Sequence, residues 1–373
     1  MPWKVSSTMS ERHEFVLLAS QPQANIRALC RRFGISSATA YKWLDRFQNE
    51  GVPGLADRSR RPQHSPGKTA TMIEDAVLCM RRKHPAWGGR KLKQRLLDLG
   101  QQQVPSPSTI TAILKRNQMI DAAESVKHRP FLRFEHAAPN DLWQMDFKGD
   151  FAVGRGRCYP LTVLDDHSRF ALAVLACPKI CTEIARPLLI AVFRRYGLPL
   201  RITCDNGPPW GSSNSKYTKL GVWLMQLGIA VSHSRPHHPQ TQGKDERFHR
   251  TLQAEVLRDL VPEDLAMCQN HFDQWRHVYN TERPHEALGL KVPATRYQPS
   301  QRAYPERLPA VEYGATDIVR KVRGYGHIKY QGREHHISSA FAGLSVALRF
   351  TNTDGLLDVY FSQHHIGQIN LTD

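Results

Sequence analysis

Short apolar segments that alternate with helical segments, from residue 141 onward, most constrain the fold of this chain. The segments LWQMDF, YPLTVLDD, RFALAVLA, LRITCD and IAVSHS are short and rich in strand-forming residues. Between them, the segments CTEIARPLLIAVFRRYG and KYTKLGVWLMQLG are typical of helices. A chain in which strands and helices interleave packs its helices against a central sheet. We therefore predict an α/β domain with a mixed central sheet.

The charge of the chain indicates a polyanionic partner. Of its 373 residues, 51 are Lys or Arg and 34 are Asp or Glu, which gives a formal net charge of +17. A surface this basic favours nucleic acid as the partner, and a basic enzyme without such a role is the alternative. The hydrophobic content of 40% and the charged content of 23% are those of a globular protein. A chain of this length is expected to form roughly two to four domains.

The sequence favours a protein of a reducing compartment. It contains no run of about 18 apolar residues, the length that a membrane-spanning helix needs. The stretch MPWKVSSTMSERHEF lacks the apolar core of a signal peptide. The seven cysteines form no CxxC pair and suggest neither a zinc site nor a disulfide framework. We expect a cytoplasmic protein without a membrane role that associates with the nucleoid through DNA.

Residues 1–55 are predicted to form a helix-turn-helix domain. Two short amphipathic helices lie between Gln23 and Asn49, and Gly34 ends the first of them. Ser36 or Ser37 can cap the second helix, because a side-chain hydroxyl accepts an otherwise unpaired backbone N–H. A generic helical hairpin is the alternative. If the second helix enters a major groove, the residues facing DNA are Ser37, Thr39, Lys42 and Arg46.

A basic linker and a second helical module are predicted to follow. The linker spans residues 56–68, where Arg58, Arg60 and Arg61 either follow phosphates or are merely solvated. Residues 69–125 contain three helical segments and are predicted to form a second helix-turn-helix-like domain, with Arg90 and Lys91 as candidate DNA contacts.

The last part of the chain is predicted to be a small β domain. The segments HIKYQGREHHIS, LSVALRFTNTDGLLDVYF and HHIGQINL read as short strands, and TDG is a hairpin turn signal. Short strands over about 60 residues suggest a small β-barrel at residues 305–373. The whole chain is thus predicted to be a multidomain α/β protein.

Three carboxylates in the α/β segment are candidates for a metal-dependent site. Two-metal phosphoryl transfer needs two or three carboxylates that converge on Mg²⁺ from distant parts of the chain. Asp146 lies on the first strand, Asp205 ends a buried strand, and Glu246 opens a helix after a Gly-terminated loop. Each residue also has a structural alternative. Asp205 can form an ordinary turn with Asn206 and Gly207, Asp146 can pair with a base, and Glu246 can favour the helix dipole.

With these motifs, the chain resembles the integrase-type transposases of bacterial insertion sequences, within the retroviral integrase superfamily. The resemblance rests on WQMDFKG, VLDDHSR, TCDNG, HHPQTQGKDERFHRTL and YNTERPHEAL, between about residues 140 and 290. It implies a ribonuclease-H-like catalytic core at residues 126–300. It also implies that Asp146, Asp205 and Glu246 are the Asp-Asp-Glu triad that binds two Mg²⁺ ions, which Mn²⁺ can replace.

The function that the resemblance implies is DNA transposition. Such a protein binds the terminal inverted repeats of its element, cleaves the 3′ ends and joins them to target DNA by in-line phosphoryl transfer. The expected partners are double-stranded DNA of the element ends and of the target, and a second copy of the chain, because two ends must be joined. The alternatives are a catalytically inactive, sequence-specific DNA-binding protein and a metal-dependent nuclease on the same fold.

The chain departs from the superfamily pattern at several points. The spacing from Asp205 to Glu246 is 246 − 205 = 41 positions, which is long, and the N-terminal zinc module of retroviral integrases is absent. Asp245 stands where relatives carry an apolar residue, on the helix side shared with Phe248, Leu252 and Val256. Asp165 and Asp166 compete for a catalytic role, but the resemblance implies that they are structural.

The helix that carries Glu246 is basic around the acid. Lys244, Arg247 and Arg250 share an arc beside Glu246 and are predicted to bind DNA phosphates while the carboxylate holds metal. A charge-balanced, solvated helix is the alternative.

Overall fold

The computed structural model describes residues 7–59, 69–120, 135–154, 156–211, 217–233, 243–258 and 260–371. The chain forms two compact units, Met1–Lys68 and Thr69–Asp373. No helix among the described residues is long and apolar enough to cross a membrane.

The first unit is a bundle of three helices, α1 (Thr8–Ala19), α2 (Ile26–Phe33) and α3 (Ser37–Glu50), followed by a 3₁₀ turn at Val52–Leu55. Gly34 ends α2 in the left-handed conformation at φ 62°, which glycine adopts without strain. The Ser36 side chain caps α3 by accepting a hydrogen bond from the Thr39 backbone N–H, which decides between the two predicted caps. The core of this unit consists of Phe15, Val16, Cys30, Ala40, Trp43 and Leu55.

The second unit begins with another three-helix module, α4 (Thr71–Lys83), α5 (Gly89–Asp98) and α6 (Pro107–Arg116). Ser106 caps α6 as Ser36 caps α3. A Cβ atom at Gly89 would lie 2.4 Å from the Pro107 carbonyl oxygen, so the close approach of α5 to α6 requires glycine there. The buried core of the module consists of Val77, Trp87, Leu92, Leu96, Ile110, Ile113 and Leu114.

A mixed sheet forms the centre of the second unit. Strand β1 pairs antiparallel with β3 and parallel with β5; β3 also pairs antiparallel with β2 and β4, and β5 pairs parallel with β6. This arrangement confirms the predicted α/β domain. The bounds of these elements are β1 Leu142–Phe147, β2 Phe151–Val153, β3 Gly156–Asp165, β4 Ala171–Cys177, β5 Arg201–Cys204, β6 Ala230–His233, α7 Thr182–Tyr196, α8 Lys219–Gln226, α9 Gly243–Leu252 and α10 Leu265–Thr281.

Two apolar layers cover the two faces of this sheet. On one face, Trp143 and Met145 of β1 belong to the same cluster as Phe193 of α7 and Trp223 of α8. On the other face, a cluster joins β3 and β4 to Phe248 and Leu252 of α9 and to Phe272 and Trp275 of α10. Side chains alternate along a strand, so Asp146, next to Met145, points to the face that α9 covers.

The C-terminal segment forms two sheets. Strands β7 (Ile318–Lys321), β10 (Ser345–Phe350), β11 (Leu356–Phe361) and β12 (His364–Asn370) make one sheet in the order β12-β11-β10-β7, and β8 (His327–Tyr330) pairs with β9 (Arg333–His336). The TDG turn joins β10 to β11 as predicted. The predicted barrel is not confirmed, because no hydrogen-bonded ladder joins the two sheets among the described strands. Side chains rather than strand pairing close the domain, since Ile328 and Tyr330 of the hairpin enter the core of the larger sheet.

Candidate active site

Strand register brings Asp146 and Asp205 to the same end of the sheet. In the parallel pair of β1 and β5, Gln144 lies opposite Thr203. Asp146 lies two residues beyond Gln144, and Asp205 lies two residues beyond Thr203, so both side chains leave the neighbouring strands at the same level. Burial raises the pKa of Asp146 to about 7, and the nearby Asp205 carboxylate contributes to this rise. Two partly buried acids that repel each other form a site that attracts a cation.

Asp205 has an oxygen atom that suits a metal ion. Burial raises the pKa of this carboxyl group above its usual range. Its Oδ1 atom is buried and accepts no hydrogen bond. A buried carboxylate oxygen without a donor is costly, and carboxylate oxygens are the ligands that Mg²⁺ prefers. The residues present therefore fit a divalent cation at Asp146 and Asp205.

His249 of α9 contacts Asp146 and was missed in the sequence analysis. Its Nδ1 atom lies 3.7 Å from Asp146 Oδ2, and its Nε2 atom lies 2.8 Å from Thr162 Oγ1. Because the Thr162 hydroxyl donates to the Asp146 carbonyl oxygen at 3.0 Å, it accepts from Nε2–H, and the Nδ1 lone pair faces Asp146. Burial lowers the pKa of His249 to about 4, so the ring is neutral at physiological pH. The signal in the sequence was its position four residues after Asp245, on the inner side of α9.

Glu246 lies in the first turn of α9 on the solvent-exposed side of the helix. The structure thus brings Asp146 and Asp205 together and leaves Glu246 at the margin of the site. Within the described ranges, no group of three or more His, Cys, Asp or Glu residues is arranged to hold a metal ion. Residues 234–242, including the whole HHPQTQ loop before α9, lie outside the described residues.

Asp245, next to Glu246, is buried on the inner side of α9 with Phe248 and Leu252. This is the side that the sequence predicted for it. Its side chain is 2% exposed, and its Oδ1 atom is buried without a hydrogen-bond partner. Burial raises its pKa well above the usual range, and the charges of Asp146 and Asp166 add to the shift.

Asp165 and Asp166 hold the turn after β3 in place. Asp165 accepts hydrogen bonds from the Asn140 N–H at 2.8 Å and from the Ser168 hydroxyl at 2.5 Å. Asp166 accepts from the Gln144 side chain at 2.7 Å and from the His136 N–H at 2.9 Å, and it forms an ion pair with Lys244. These contacts support the structural role that was expected for the pair. They also place Lys244, a predicted DNA contact, against the protein interior.

The predicted DNA contacts of the first unit differ in accessibility. Ser37 and Lys42 are exposed on α3, whereas Thr39 and Arg46 are half-buried, with the Arg46 guanidinium 5.0 Å from the Trp43 ring centre. Arg58 pairs with Glu50. Arg60 and Arg61 lie outside the described residues.

In the second unit, α5 lies against the end of α10 in the α/β domain. The Arg95 guanidinium forms a 2.8 Å ion pair with Glu282, and Arg90 lies 3.8 Å from Glu286. Burial lowers the pKa of Lys91 to about 8, and the nearby Arg283 charge contributes to this shift. Of the two predicted contacts, Lys91 is therefore the less accessible to DNA, and Arg90 is 72% exposed.

Two further predicted DNA contacts, besides Lys244, lie on α9. Arg250 is exposed, and Arg247 lies 4.0 Å from Glu286.

The exposed face of α6 was missed in the sequence analysis. It presents Ser108, Thr109 and Lys115 to solvent. The same cap and spacing that identified α3 precede it, with Ser106 in the place of Ser36. The sequence instead predicted Arg90 and Lys91 of α5 as the DNA contacts of this module.

Sequence profiles of known families match most parts of the chain. The family described as Integrase core domain matches residues 136–239, and a second profile of that description matches residues 227–293. A helix-turn-helix domain matches residues 11–63 and a homeodomain-like domain matches residues 39–114. The C-terminal domain of the IS481 family transposases matches residues 317–373.

Several curated proteins are similar to the central part of the chain. An uncharacterized 39.2 kDa protein of insertion element IS476 from Xanthomonas euvesicatoria is 32% identical over 42% of this chain and 44% of its own length. An uncharacterized 31.7 kDa protein of insertion element IS407 from Burkholderia multivorans is 27% identical over 42% of this chain and 55% of its own length. The Gag-Pol polyprotein of feline leukemia virus is 31% identical over 38% of this chain and 8% of its own length. The chain thus spans about half the length of the two insertion-element relatives.

Solved structures of retroviral integrases are also similar. The HTLV-2 integrase catalytic core domain in complex with magnesium is 19% identical, over 43% of this chain and 98% of that one, with a TM-score of 0.34. A simian T-cell lymphotropic virus intasome is 15% identical, over 79% of this chain and 96% of that one, with a TM-score of 0.39. TM-scores this low support no argument about this chain.

The profiles and the fold together define a protein with an integrase core and helix-turn-helix modules before it. The C-terminal match and the insertion-element relatives narrow this class. These findings support an integrase-type transposase of an insertion sequence and confirm the resemblance found in the motifs of the chain.

Proposed function

We propose that this chain binds the terminal inverted repeats of its insertion sequence, cleaves the DNA 3′ ends and joins them to target DNA. The observation that carries the proposal is the pair Asp146 and Asp205, which strand register brings to one end of the sheet and whose charges interact. Paired, partly buried acids at a sheet end are what metal-dependent phosphoryl transfer requires.

Asp146, Asp205 and Glu246 are proposed to hold the catalytic metal ions. When bound, two Mg²⁺ ions, which Mn²⁺ can replace, supply activation of an attacking water or 3′-hydroxyl and stabilisation of the leaving oxygen. Asp205 Oδ1 provides an oxygen that no protein donor occupies. Glu246 provides a carboxylate from the solvent-exposed side of α9, where a DNA strand has access. His249 keeps a neutral ring against Asp146 and links it to Thr162.

The basic residues are proposed to hold DNA around this site. Arg247 and Arg250 lie on α9 beside Glu246, and Ser37 and Lys42 are exposed on α3. The exposed face of α6 is proposed as the second surface that reads the element end, because in a helix-turn-helix the second helix of the pair enters the major groove. Thr39, Arg46 and Arg58 keep their predicted DNA roles as proposals, whereas Arg90, Lys91 and Lys244 are proposed to contribute less to DNA binding because they lie in or near contacts within the second unit.

The assembly and the domain limits are also proposals. Joining two DNA ends to one target requires at least a dimer. The five segments proposed are a helix-turn-helix domain at 1–55, a linker at 56–68, a second module at 69–125, the catalytic core at 126–300 and a small β domain at 305–373.

A strand-transfer assay tests the proposed function. Purified protein is incubated with Mg²⁺ or Mn²⁺ and DNA ends from the flanks of the gene, alongside Asp146→Asn, Asp205→Asn and Glu246→Gln. Glu312→Gln is the matched control, because Glu312 is an exposed acid that precedes the C-terminal strands. Metal-dependent joined products with the wild type and the control, and none with the three site variants, are expected. Specific binding without cleavage under both metals would instead support an inactive DNA-binding protein.

Cleavage without joining would support the nuclease alternative. Pre-nicked DNA ends separate the two steps, because they remove the need for the first cleavage. Joining of pre-nicked ends by the wild type, with no joining by Glu246→Gln, is expected.

A further inference from the structure

Two consecutive residues of the motif YNTERPHEAL, Glu282 and Arg283, form ion pairs with two different elements. The motif begins in the last turn of α10 and contributes no residue to the proposed active site. Glu282 pairs with Arg95 of α5 at 2.8 Å. Arg283 donates through Nε to Glu255, which lies just after α9, at 2.9 Å. The end of α10 therefore joins the second helical module to α9.

The contact with α9 is shielded from solvent. Glu255 lies in a π-helical turn, Gln253–Leu257, that continues α9, and its second carboxylate oxygen accepts from Trp275 Nε1 at 2.9 Å. The side chains of Glu255 and Arg283 are 9% and 10% exposed. Trp275 also packs against Phe248 of α9, with ring centres 5.4 Å apart. Because water screens this ion pair little and breaking it would leave a buried charge, the pair holds the end of α9 in one position on α10.

The contact with α5 combines an ion pair with apolar packing. The side chains of Arg95 and Glu282 are 18% and 21% exposed. Val278, one turn before Glu282, packs against the apolar core of the module, which includes Leu92 and Leu96 of α5. The last turn of α10 thus holds α5 on one side and the end of α9 on the other.

These contacts fix the spacing between two proposed DNA-binding surfaces. Leu92 and Leu96 of α5 share one buried core with Ile110 and Leu114 of α6, so α6 keeps its place relative to α5. The other surface is the basic side of α9, where Arg250 is exposed. Two surfaces that are held at a fixed spacing bind one ligand far more tightly than the same surfaces do when they are loosely connected.

We propose that Glu282 and Arg283 set the spacing between the exposed face of α6 and the basic side of α9, so that both surfaces bind one duplex DNA end as a unit. The inference rests on the proposed DNA binding and assigns a positioning role to two residues that act on DNA only through other elements. A DNA duplex presents the same side once in each helical turn, so a fixed spacing also fixes the helical phase of the two binding segments.

Phase-shifted DNA ends test this role. Hydroxyl-radical footprints of the full-length wild type, of Arg250→Ala and of the double variant Ser108→Ala, Lys115→Ala first locate the DNA segment that each surface covers. An insertion of about 5 base pairs, half a helical turn, is then placed between the two segments. We expect the wild type to bind the shifted end about tenfold or more weakly than the native end, because only one surface engages it.

Variants of the two ion pairs are expected to lose this phase dependence. Arg95→Glu and Glu282→Arg should bind the native end about tenfold or more weakly than the wild type and respond little to the insertion. The double variant Arg95→Glu, Glu282→Arg restores an ion pair and should recover both the affinity and the phase dependence. Glu255→Gln and Arg283→Lys test the contact with α9 and should respond less to the insertion than the wild type does.

Asp317→Asn is the matched control for a loss of stability elsewhere. Asp317 is 7% exposed and, like Glu255, accepts from two side-chain nitrogens, those of Arg349 at 2.8 and 2.9 Å in the C-terminal β domain. We expect a lower Tm than that of the wild type and an unchanged phase dependence. Glu282→Gln removes the charge but keeps the size of the side chain, and it decides the question if Glu282→Arg does not fold.

The outcomes distinguish this inference from the proposed function. A wild type that binds native and shifted ends equally well, or variants of both ion pairs that keep the full phase dependence, would overturn the inference and leave the proposed function standing. A wild type that binds neither end in preference to unrelated DNA would overturn both.

Discussion

At the scale of single residues, His249 shows how packing fixes a protonation state. The ring is held between Thr162 and Asp146, and burial lowers its pKa from 6.5 to about 4. Below pH 6.5 the unfolded chain therefore takes up a proton at this position that the folded chain does not. The neutral ring stabilises the fold fully above pH 6.5, and this contribution is lost as the pH falls toward 4.

His249→Asn is expected to reduce the loss of folding stability in mild acid. Asparagine does not titrate and can still donate a hydrogen bond to Thr162. Between pH 7 and pH 4, the free energy of unfolding of the metal-free wild type should fall by about 2–3 kcal/mol more than that of the variant. The reason is that the pKa of His249 is lowered by roughly two units on folding, and each unit corresponds to about 1.4 kcal/mol. Urea unfolding at several pH values measures the difference. Identical pH profiles for the two proteins would show that His249 is protonated in the folded state.

The sequence predicted the proximity of two candidate site residues because their positions follow from secondary structure alone. Asp146 and Asp205 lie at the ends of strands, so the pattern of apolar segments brings them together. The pairing of His249 with Thr162 requires the packing of α9 over β3, which no spacing in the sequence gives. The buried side of Asp245 was predicted from the helical period, but its unpaired oxygen appears only in three dimensions.

At the scale of elements, the turn after β3 holds the start of α9. Asp166 is 1% exposed, and its contacts with Gln144 and Lys244 join β1, the turn and the first turn of α9. Lys244 lies two residues before Glu246. The ion pair therefore limits where α9 can place Glu246 relative to the sheet.

Lys244→Met is expected to lower stability rather than only DNA affinity. It removes the ammonium from a buried carboxylate, which costs about 3–5 kcal/mol for a buried pair, and less here because Lys244 is partly exposed. Lys244→Arg retains the charge and is expected to stay within about 1 kcal/mol of the wild type. Urea unfolding and DNA binding are measured for both variants. Reduced DNA affinity at unchanged stability in Lys244→Met would assign the lysine to phosphate contact.

Element positions were predicted more reliably than element partners. The cap at Ser36 and the end of α2 at Gly34 follow from local backbone chemistry. The docking of α5 against Glu282 and Glu286 depends on residues almost 200 positions away, so its basic residues looked like DNA contacts. The barrel was predicted from strand lengths, which do not determine whether two sheets join.

At the scale of the whole molecule, the proposed function requires two helix-turn-helix modules and an integrase core to act on one DNA end. The second module belongs to the same compact unit as the core, and α5 takes part in that contact. Its α6 helix keeps an exposed polar face. The module can therefore hold the core and present α6 to DNA at the same time.

Substitutions on α6 are expected to weaken end binding more than substitutions on α5. Ser108→Ala with Lys115→Ala removes two exposed polar groups of α6, and a loss of about 1–3 kcal/mol is expected for contacts with bases. Arg90→Ala with Lys91→Ala is the matched pair on α5, and binding within about 1 kcal/mol of the wild type is expected. Fluorescence anisotropy with element-end DNA measures both. A greater loss from the α5 pair would show that α5 faces the DNA.

The net charge of +17 predicts that DNA binding depends strongly on salt. Each phosphate that the protein neutralises releases counterions, so the logarithm of affinity falls with the logarithm of salt concentration by about 0.9 per contact. Lys42, which is exposed on α3, is a proposed phosphate contact, and Lys42→Ala should reduce the slope by about one. Glu312→Gln should leave the slope unchanged, since the residue is not among the predicted contacts. Binding isotherms between roughly 50 and 200 mM salt give the slopes. An affinity that does not change over this range would mean that apolar or base contacts, and not phosphates, hold the DNA.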